Sequence, residues 1–334
     1  MHISEGIITG IPAVAYTAAS LCLVGFGAKK MKDMATEHPE KKALFGMAGA
    51  FIFFFSLIPI PAFTGTCSHP CGSPLVGILL GPWVGIALTG LTLLLQAAFF
   101  AHGGFSTWGA NVITLGVGGA FFGWLSFRLA RKAGLSLFVA GAIGGLIGDV
   151  MTYAIAGISL SAVLSTGPHP QYTFMGYLTA VYTAYIPTQL PIAIGEMFAT
   201  GFILNYIYKQ RPDVLQSLKV IAVIAALFFI PTFLVFSQST PVFAQQGATH
   251  GTITQGPAAE SHTEGLAGMD EAVNEKMAED AGRAPRDPYI NLEASGDVWN
   301  MVLMLGGAIC GFIIGRWWHL LFDRKENGRI SESR

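Results

Sequence analysis

The sequence predicts an all-α, polytopic membrane protein: a seven-span core with its amino terminus outside, followed by two further transmembrane helices. Three observations lead there. Hydrophobic residues make up 52% of the chain and charged ones only 12%, with a mean hydropathy of +0.54, far from the composition of a soluble globular domain. Apolar runs of about 20 residues, long enough to cross a bilayer as helices, recur along the chain. Basic residues fall in alternate loops, and only Lys276, Arg283 and Arg286 of the 19 Lys and Arg land outside.

The first run, Ile7 to Ala28, is followed rather than preceded by Lys29, Lys30 and Lys32. That order is the reverse of a signal peptide, and the positive-inside rule puts Met1 outside and Lys29 inside. Leu44 to Ile60 climbs back after Lys41 and Lys42. Pro59, Pro61 and Gly65 end it, leaving residues 64–73 as an outside loop. Thr107 to Leu129 finishes among Arg128, Arg131 and Lys132, so it starts outside. Residues 74–100 must then cross twice or not at all, which predicts two short helices meeting at Gly81-Pro82, or a re-entrant pair. Backbone broken at that depth is tolerated only where protein buries it or it lines a cavity, as in transport cores.

Leu137 to Gly157 goes out again, carrying Asp149. Phe174 to Tyr208 returns to Lys209 and Arg211, with expected kinks at Pro187 and Pro191 and with Glu196 in its second half. This closes a transmembrane domain at residues 1–212. A helix in 213–236 leads out, 237–297 reads as a mostly disordered extracytoplasmic segment, and 298–334 supplies a last span and a cytoplasmic tail. The protein is therefore expected in the cell (inner) membrane, multi-pass in the lipid bilayer, with its amino end extracytoplasmic and its carboxyl end cytoplasmic. No G-x-x-x-x-G-K-[ST] loop is present, so uphill movement driven by ATP would need another subunit to hydrolyse it. A nucleic-acid partner is not expected.

Chemistry concentrates at the start of the chain. Met1-His2 offers the α-amine, the His2 amide and the His2 imidazole, which can close two fused chelate rings in one plane. Flat nitrogen sets suit Ni(II), Cu(II) or low-spin Co(II), not tetrahedral zinc. A bulky second residue such as His2 protects the initiator Met that the chelate needs. A fourth donor could come from His69, His102, His169, Cys67 or Cys71. His69, in a tight loop at the mouth of the broken-helix region, is the strongest candidate. Cys67-x-His69-x-Cys71 also reads as a soft-metal element or a disulfide pair. His102, ahead of two glycines, reads as a turn constraint before a ligand, and Asn111 as a brace for a ligand histidine. Asp149 and Glu196 lie inside spans, where carboxylates are expensive, and serve either function or inter-helix hydrogen bonding.

Met1-His2-Ile3 with Glu5-Gly6, then Thr64-Gly65-Thr66-Cys67-Ser68-His69-Pro70, Ala101-His102-Gly103-Gly104, Gly109-Ala110-Asn111 and Gly148-Asp149 resemble the substrate-binding (S) component of cobalt/nickel energy-coupling factor transporters, the CbiM/NikM family. The resemblance covers about residues 1–210. It implies a seven-span protein whose amino terminus tucks into the helical core. The transported substrate would be Ni(II) or Co(II), held by four nitrogens: the Met1 amine, the His2 amide and imidazole, and the His69 imidazole. It also implies a role in metal supply for cobalamin biosynthesis, with a transmembrane coupling subunit and cytoplasmic ATPase subunits as partners. The two carboxyl-terminal spans look like a fused auxiliary component. Cys71 departs from the family pattern, where Thr is expected. Two other readings remain at this point: an intramembrane enzyme built on Asp149 and Glu196, for which no H-E-x-x-H motif is present, and a metal receptor without transport.

Overall fold

The computed structural model describes residues 2–57, 60–61, 67–100, 102–221 and 269–286. Helix α1 (Gly10–Glu37) buries only Ser20 and Gly27 and leaves Ile11, Val14, Leu21 and Phe26 on its outer surface. Such a helix is stable only with lipid around it, and small residues carry its few protein contacts. Ser20 Oγ donates to the Gly109 carbonyl at 2.6 Å, and a Cβ on Gly27 would meet the backbone of Trp83 at 3.0 Å. A single 3-10 turn at Pro39–Lys41 leads to α2 (Lys42–Phe55). Two short extended pieces, β1 (Ile60–Pro61) and β2 (Cys67–Ser68), pair antiparallel and deliver the chain to His69.

Next, α3 (Ser73–Leu80) and α4 (Pro82–Phe99) meet at Gly81, whose φ of +87° is open to glycine and not to other residues. The proline that follows starts α4 at its first position, where its missing N–H costs nothing. The expected break is there, but it is asymmetric. Helix α3 has 8 residues, about 12 Å of rise, too short to cross; it is a half-helix, buried at all positions but Leu79. α4, with 18 residues, is long and apolar enough to span.

Helix α5 (Trp108–Lys132) has a wide π-form stretch at Val112–Phe121. Helix α6 (Leu137–Ser165) is capped by Ser136, whose side chain accepts from Val139 N–H. Helix α7 (Phe174–Gln210) runs as one 37-residue element with both Pro187 and Pro191 inside it, where the sequence suggested two kinks. Helix α8 (Pro212–Ser217) follows. Among the described residues five helices are long and apolar enough to cross a membrane: α1, α4, α5, α6 and α7. The protein is a mostly helical membrane protein.

Residues 269–286 lie within the segment expected to be mostly disordered, yet they form α9 (Met269–Asp280) and a short tail docked on the core. Composition pointed to disorder because the segment is polar and rich in small residues. Those small residues are what dock. Ala278 and Ala281 are fully buried in the cluster that holds Ile3, Ile7, Ile8, Tyr177 and Tyr185, and Asn274 Nδ2 donates to Tyr185 Oη at 2.9 Å. The spans expected within 213–236 and 298–334 lie almost wholly outside the described residues.

Candidate metal centre

The chain's first residues are core. Residues 2–8 form a strap in which His2, Ile3, Ile7 and Ile8 are at most 2% exposed. A strap buried this way without regular secondary structure needs its backbone polar groups answered. The Ile3 N–H donates to Asn111 Oδ1 at 2.8 Å, and the Ile3 carbonyl accepts from Thr107 Oγ1 at 2.7 Å and Asn111 Nδ2 at 3.1 Å. Glu5 Oε2 accepts from Ser106 N–H at 3.0 Å, and Ser106 Oγ accepts from Gly6 N–H at 3.1 Å. From the other side, Arg286 N–H donates to the Glu5 carbonyl at 2.8 Å. The turn after His102 can approach this closely because a Cβ at Gly104 would sit 2.6 Å from Glu5 Cα.

The strap carries His2 to His69 and His102. Ring centroids lie 5.9 Å apart for His2 and His69, 4.0 Å for His2 and His102, and 4.7 Å for His69 and His102. One donor nitrogen from each of the three falls within 4.8 Å of the others. His2 Nε2 meets Gln96 Oε1 at 3.0 Å. Gln96 is held in turn, since its Nε2 donates to Phe53 O at 3.1 Å and Ser56 Oγ at 2.8 Å. Four ring nitrogens have no hydrogen-bond partner among the described residues: His2 Nδ1, both nitrogens of His69, and His102 Nε2. Buried polar atoms are rarely left so. Burial holds the imidazoles of His2 and His69 well below the usual histidine range, and takes His102 down to about 3. All three are neutral lone-pair donors at pH 7. Convergent neutral imidazoles with free lone pairs are a transition-metal ligand set.

A second cluster lies next to the first. Cys71 is a free thiol, so it forms no bridge to Cys67. Its Sγ donates to Asp149 Oδ1 at 3.2 Å, while the Cys71 and Gly72 N–H groups donate to Glu196 Oε2 and Oε1, both at 2.8 Å. Glu196 thereby closes the N-terminal end of α3. Burial pushes the Cys71 thiol well up, so it stays protonated.

Of the residues singled out in the sequence, His2, His69 and His102 come together. His102 joins the ring cluster, where the sequence favoured a turn constraint, because the two glycines after it let its loop fold onto the strap. Asn111 does not brace a histidine; it holds the backbone of Ile3. Cys71 and Asp149 sit with Glu196, not with the imidazoles. His169 is exposed on the outer surface. Met1 and the side chain of Cys67 lie outside the described residues. Gln96 was missed, although a glutamine in an otherwise apolar run is the signal that could have found it.

Residues 2–214 match the family model CbiM, described as the cobalt uptake substrate-specific transmembrane region. The chain is 36% identical to the cobalt transport protein CbiM of Geobacter sulfurreducens, over 96% of this chain and 90% of that one. It is also 36% identical to the cobalt transport protein CbiM of Sorangium cellulosum, over 66% of this chain and 97% of that one. A crystal structure described as a truncated transition metal transporter superposes with a TM-score of 0.54 at 25% identity, over 63% of this chain and 99% of that one. These relatives are transporters, not enzymes, and the reading of Asp149 and Glu196 as an intramembrane catalytic pair falls with them. A core matched from its second residue, a helical membrane fold shared with a metal transporter and a buried imidazole cluster all agree: the chain belongs to the CbiM family of cobalt uptake transmembrane proteins and is a component of a metal uptake transporter.

Proposed function

We propose that this protein captures Co(II) or Ni(II) from the extracytoplasmic side of the cell (inner) membrane and delivers it inward as the substrate-specific subunit of an energy-coupling factor transporter. A transmembrane coupling subunit and cytoplasmic ATPase subunits drive the release. The amino end is extracytoplasmic and the carboxyl end cytoplasmic. The metal is held in a plane of four nitrogens: the Met1 amine, the His2 amide, His2 Nδ1 and a ring nitrogen of His69. His102 stands beside the plane and limits approach from that side.

The observation that carries this reading is the state of His2. Gln96 presents an acceptor, its Oε1, to His2 Nε2, so the proton sits on Nε2. The lone pair is then on Nδ1, the nitrogen without a partner and the one a chelate through the preceding amide uses. An outer residue that fixes the tautomer of a ligand histidine is the usual support of a metal site. A planar nitrogen set accepts Ni(II) and low-spin Co(II) and disfavours Zn(II). The cobalt transport relatives favour cobalt as cargo.

The test is metal content and affinity of the purified full-length chain, beside His2→Ala and a variant with one residue inserted after Met1. Loss of stoichiometric Co(II) or Ni(II) in both supports the amino-terminal chelate. Normal binding by the insertion variant would move the site to the imidazoles alone.

A further inference from the structure

We propose that Cys71, Asp149 and Glu196 form a second divalent transition-metal site, placed next after the histidine centre along the route through the protein. The proposal rests on the capture reading above for where its metal comes from.

Geometry is the first support. One donor atom from each of the three residues lies within 4.8 Å of the others, and Cys71, Asp149 and Glu196 are 0%, 0% and 2% exposed. Asp149 Oδ2 has no hydrogen-bond partner among the described residues. Asp149 also hydrogen-bonds the Glu196 carboxyl, so the three side chains converge on one point. Glu196 is already aimed, since the N–H groups of Cys71 and Gly72 each take one lone pair of its two oxygens. A carboxylate oxygen has two, and the side that the backbone leaves faces Asp149.

Charge is the second. Two carboxyl groups and a thiol share one buried spot. The ion pairs among the described residues are His38–Glu40 and Arg211–Asp213, so no described lysine or arginine neutralises Asp149 or Glu196. Buried acids without a countercharge are either protonated or gathered around a cation.

Position is the third. Cys71 follows His69 by two residues, so their Cα atoms lie no more than about 7 Å apart. Tyr153 Oη donates to the His69 carbonyl at 3.4 Å, and Asp149 sits one turn before Tyr153 on α6, about 6 Å along the helix axis. The two clusters are therefore neighbours both along the chain and through α6.

The donor set also selects. One thiolate and two carboxylates suit a tetrahedral ion, whereas Ni(II) prefers the flat nitrogen plane. High-spin Co(II) accepts the tetrahedral set. Coordination replaces the Cys71 thiol proton, which is released to solvent. The cluster thus passes on cobalt more readily than nickel, a choice the nitrogen plane alone does not make.

The experiment titrates the full-length chain in nanodiscs with Co(II), under argon with a phosphine reductant, and reads metal stoichiometry and absorption together. The expected result is two equivalents, the second with a thiolate-to-cobalt charge-transfer band in the near ultraviolet. Cys71→Ser keeps a hydroxyl for Asp149; it should abolish the band and drop the count from two to one. Asp149→Asn should weaken the second equivalent by about tenfold or more. His2→Ala should lose the first equivalent and keep the band. A wild-type chain that binds one equivalent without the band overturns the second site and leaves the capture reading standing. Persistence of the band in Cys71→Ser overturns it as well, by moving the thiolate elsewhere. A wild-type chain that binds no Co(II) overturns both.

Discussion

Gln96 Oε1 lies 3.0 Å from His2 Nε2, and this contact decides which nitrogen of His2 faces the centre. The amide cannot flip without losing its donations to Phe53 O and Ser56 Oγ. Replacing it by leucine frees the imidazole to take either tautomer and to rotate. Gln96→Leu should weaken Co(II) binding by about 10- to 100-fold, the usual effect of removing such a support, while far-ultraviolet dichroism stays unchanged. Gln96→Glu keeps the acceptor and should lose much less. Equal affinity of the leucine variant and wild type in a chelator competition would remove Gln96 from the site.

The strap can be loosened without touching a ligand. Asn111 bonds both backbone groups of Ile3; without it the carbonyl keeps Thr107 Oγ1, but the N–H is left unanswered in the core, which costs about 1–3 kcal/mol. Asn111→Leu should therefore lower metal affinity and admit protease to the first residues. Gly104→Ala should do the same by a different cause, since its methyl would press on Glu5 Cα at 2.6 Å. Metal release rates measured by rapid mixing with a chelator should rise in both. Unchanged rates would mean that the strap does not hold the cargo.

Acid should destabilise the metal-free protein through the same histidines. Folded, His102 is lowered to about 3, with His2 and His69 also well below their usual value; unfolded, each is near 6.5. The unfolded chain binds more protons below pH 6.5, so stability is full above that value and falls as pH drops towards 3. His102 alone removes about 1.4 kcal/mol per pH unit within that window, and His2 and His69 act in the same direction. Thermal unfolding at pH 7.5, 6.0 and 5.0 should give a falling midpoint, and His102→Gln should flatten the slope. A midpoint independent of pH in the metal-free wild type would contradict neutral burial.

The tail that docks over the strap should slow exchange. Deleting residues 269–286 removes Ala278 and Ala281 from the cluster around Ile3 and Ile7 and takes away the Arg286 N–H bonded to Glu5. The truncated chain should bind Co(II) and release it several-fold faster. Identical on- and off-rates would reduce this segment to a passive covering.

Much of this was legible in the residues because membrane physics writes plainly. Lipid demands apolar runs, basic residues mark one side, and Gly81-Pro82 can only break a helix. What was not legible came from interactions between positions far apart. That α3 is a buried half-helix depends on what surrounds it, not on its own letters. Asn111 could be seen as a brace but not for what, because the backbone it holds is 108 positions away. His102 looked like a turn residue because its neighbours are glycines, and it is one. The same turn carries it to His2. Residues 269–286 misled because small and polar residues look alike in disorder and in tight docking.

The strap has a consequence for biosynthesis. Its residues are made before their partners: the groups that seat Ile3 arrive 104 and 108 positions later, and Arg286 follows Glu5 by 281 positions. Long closures of this kind form late, after local helices. Ile3 therefore stays unseated until α1 to α4 and the first turn of α5 have been made. The strap thus has no seat until Thr107 and Asn111 have been made, and its last tie, to Arg286, is added much later.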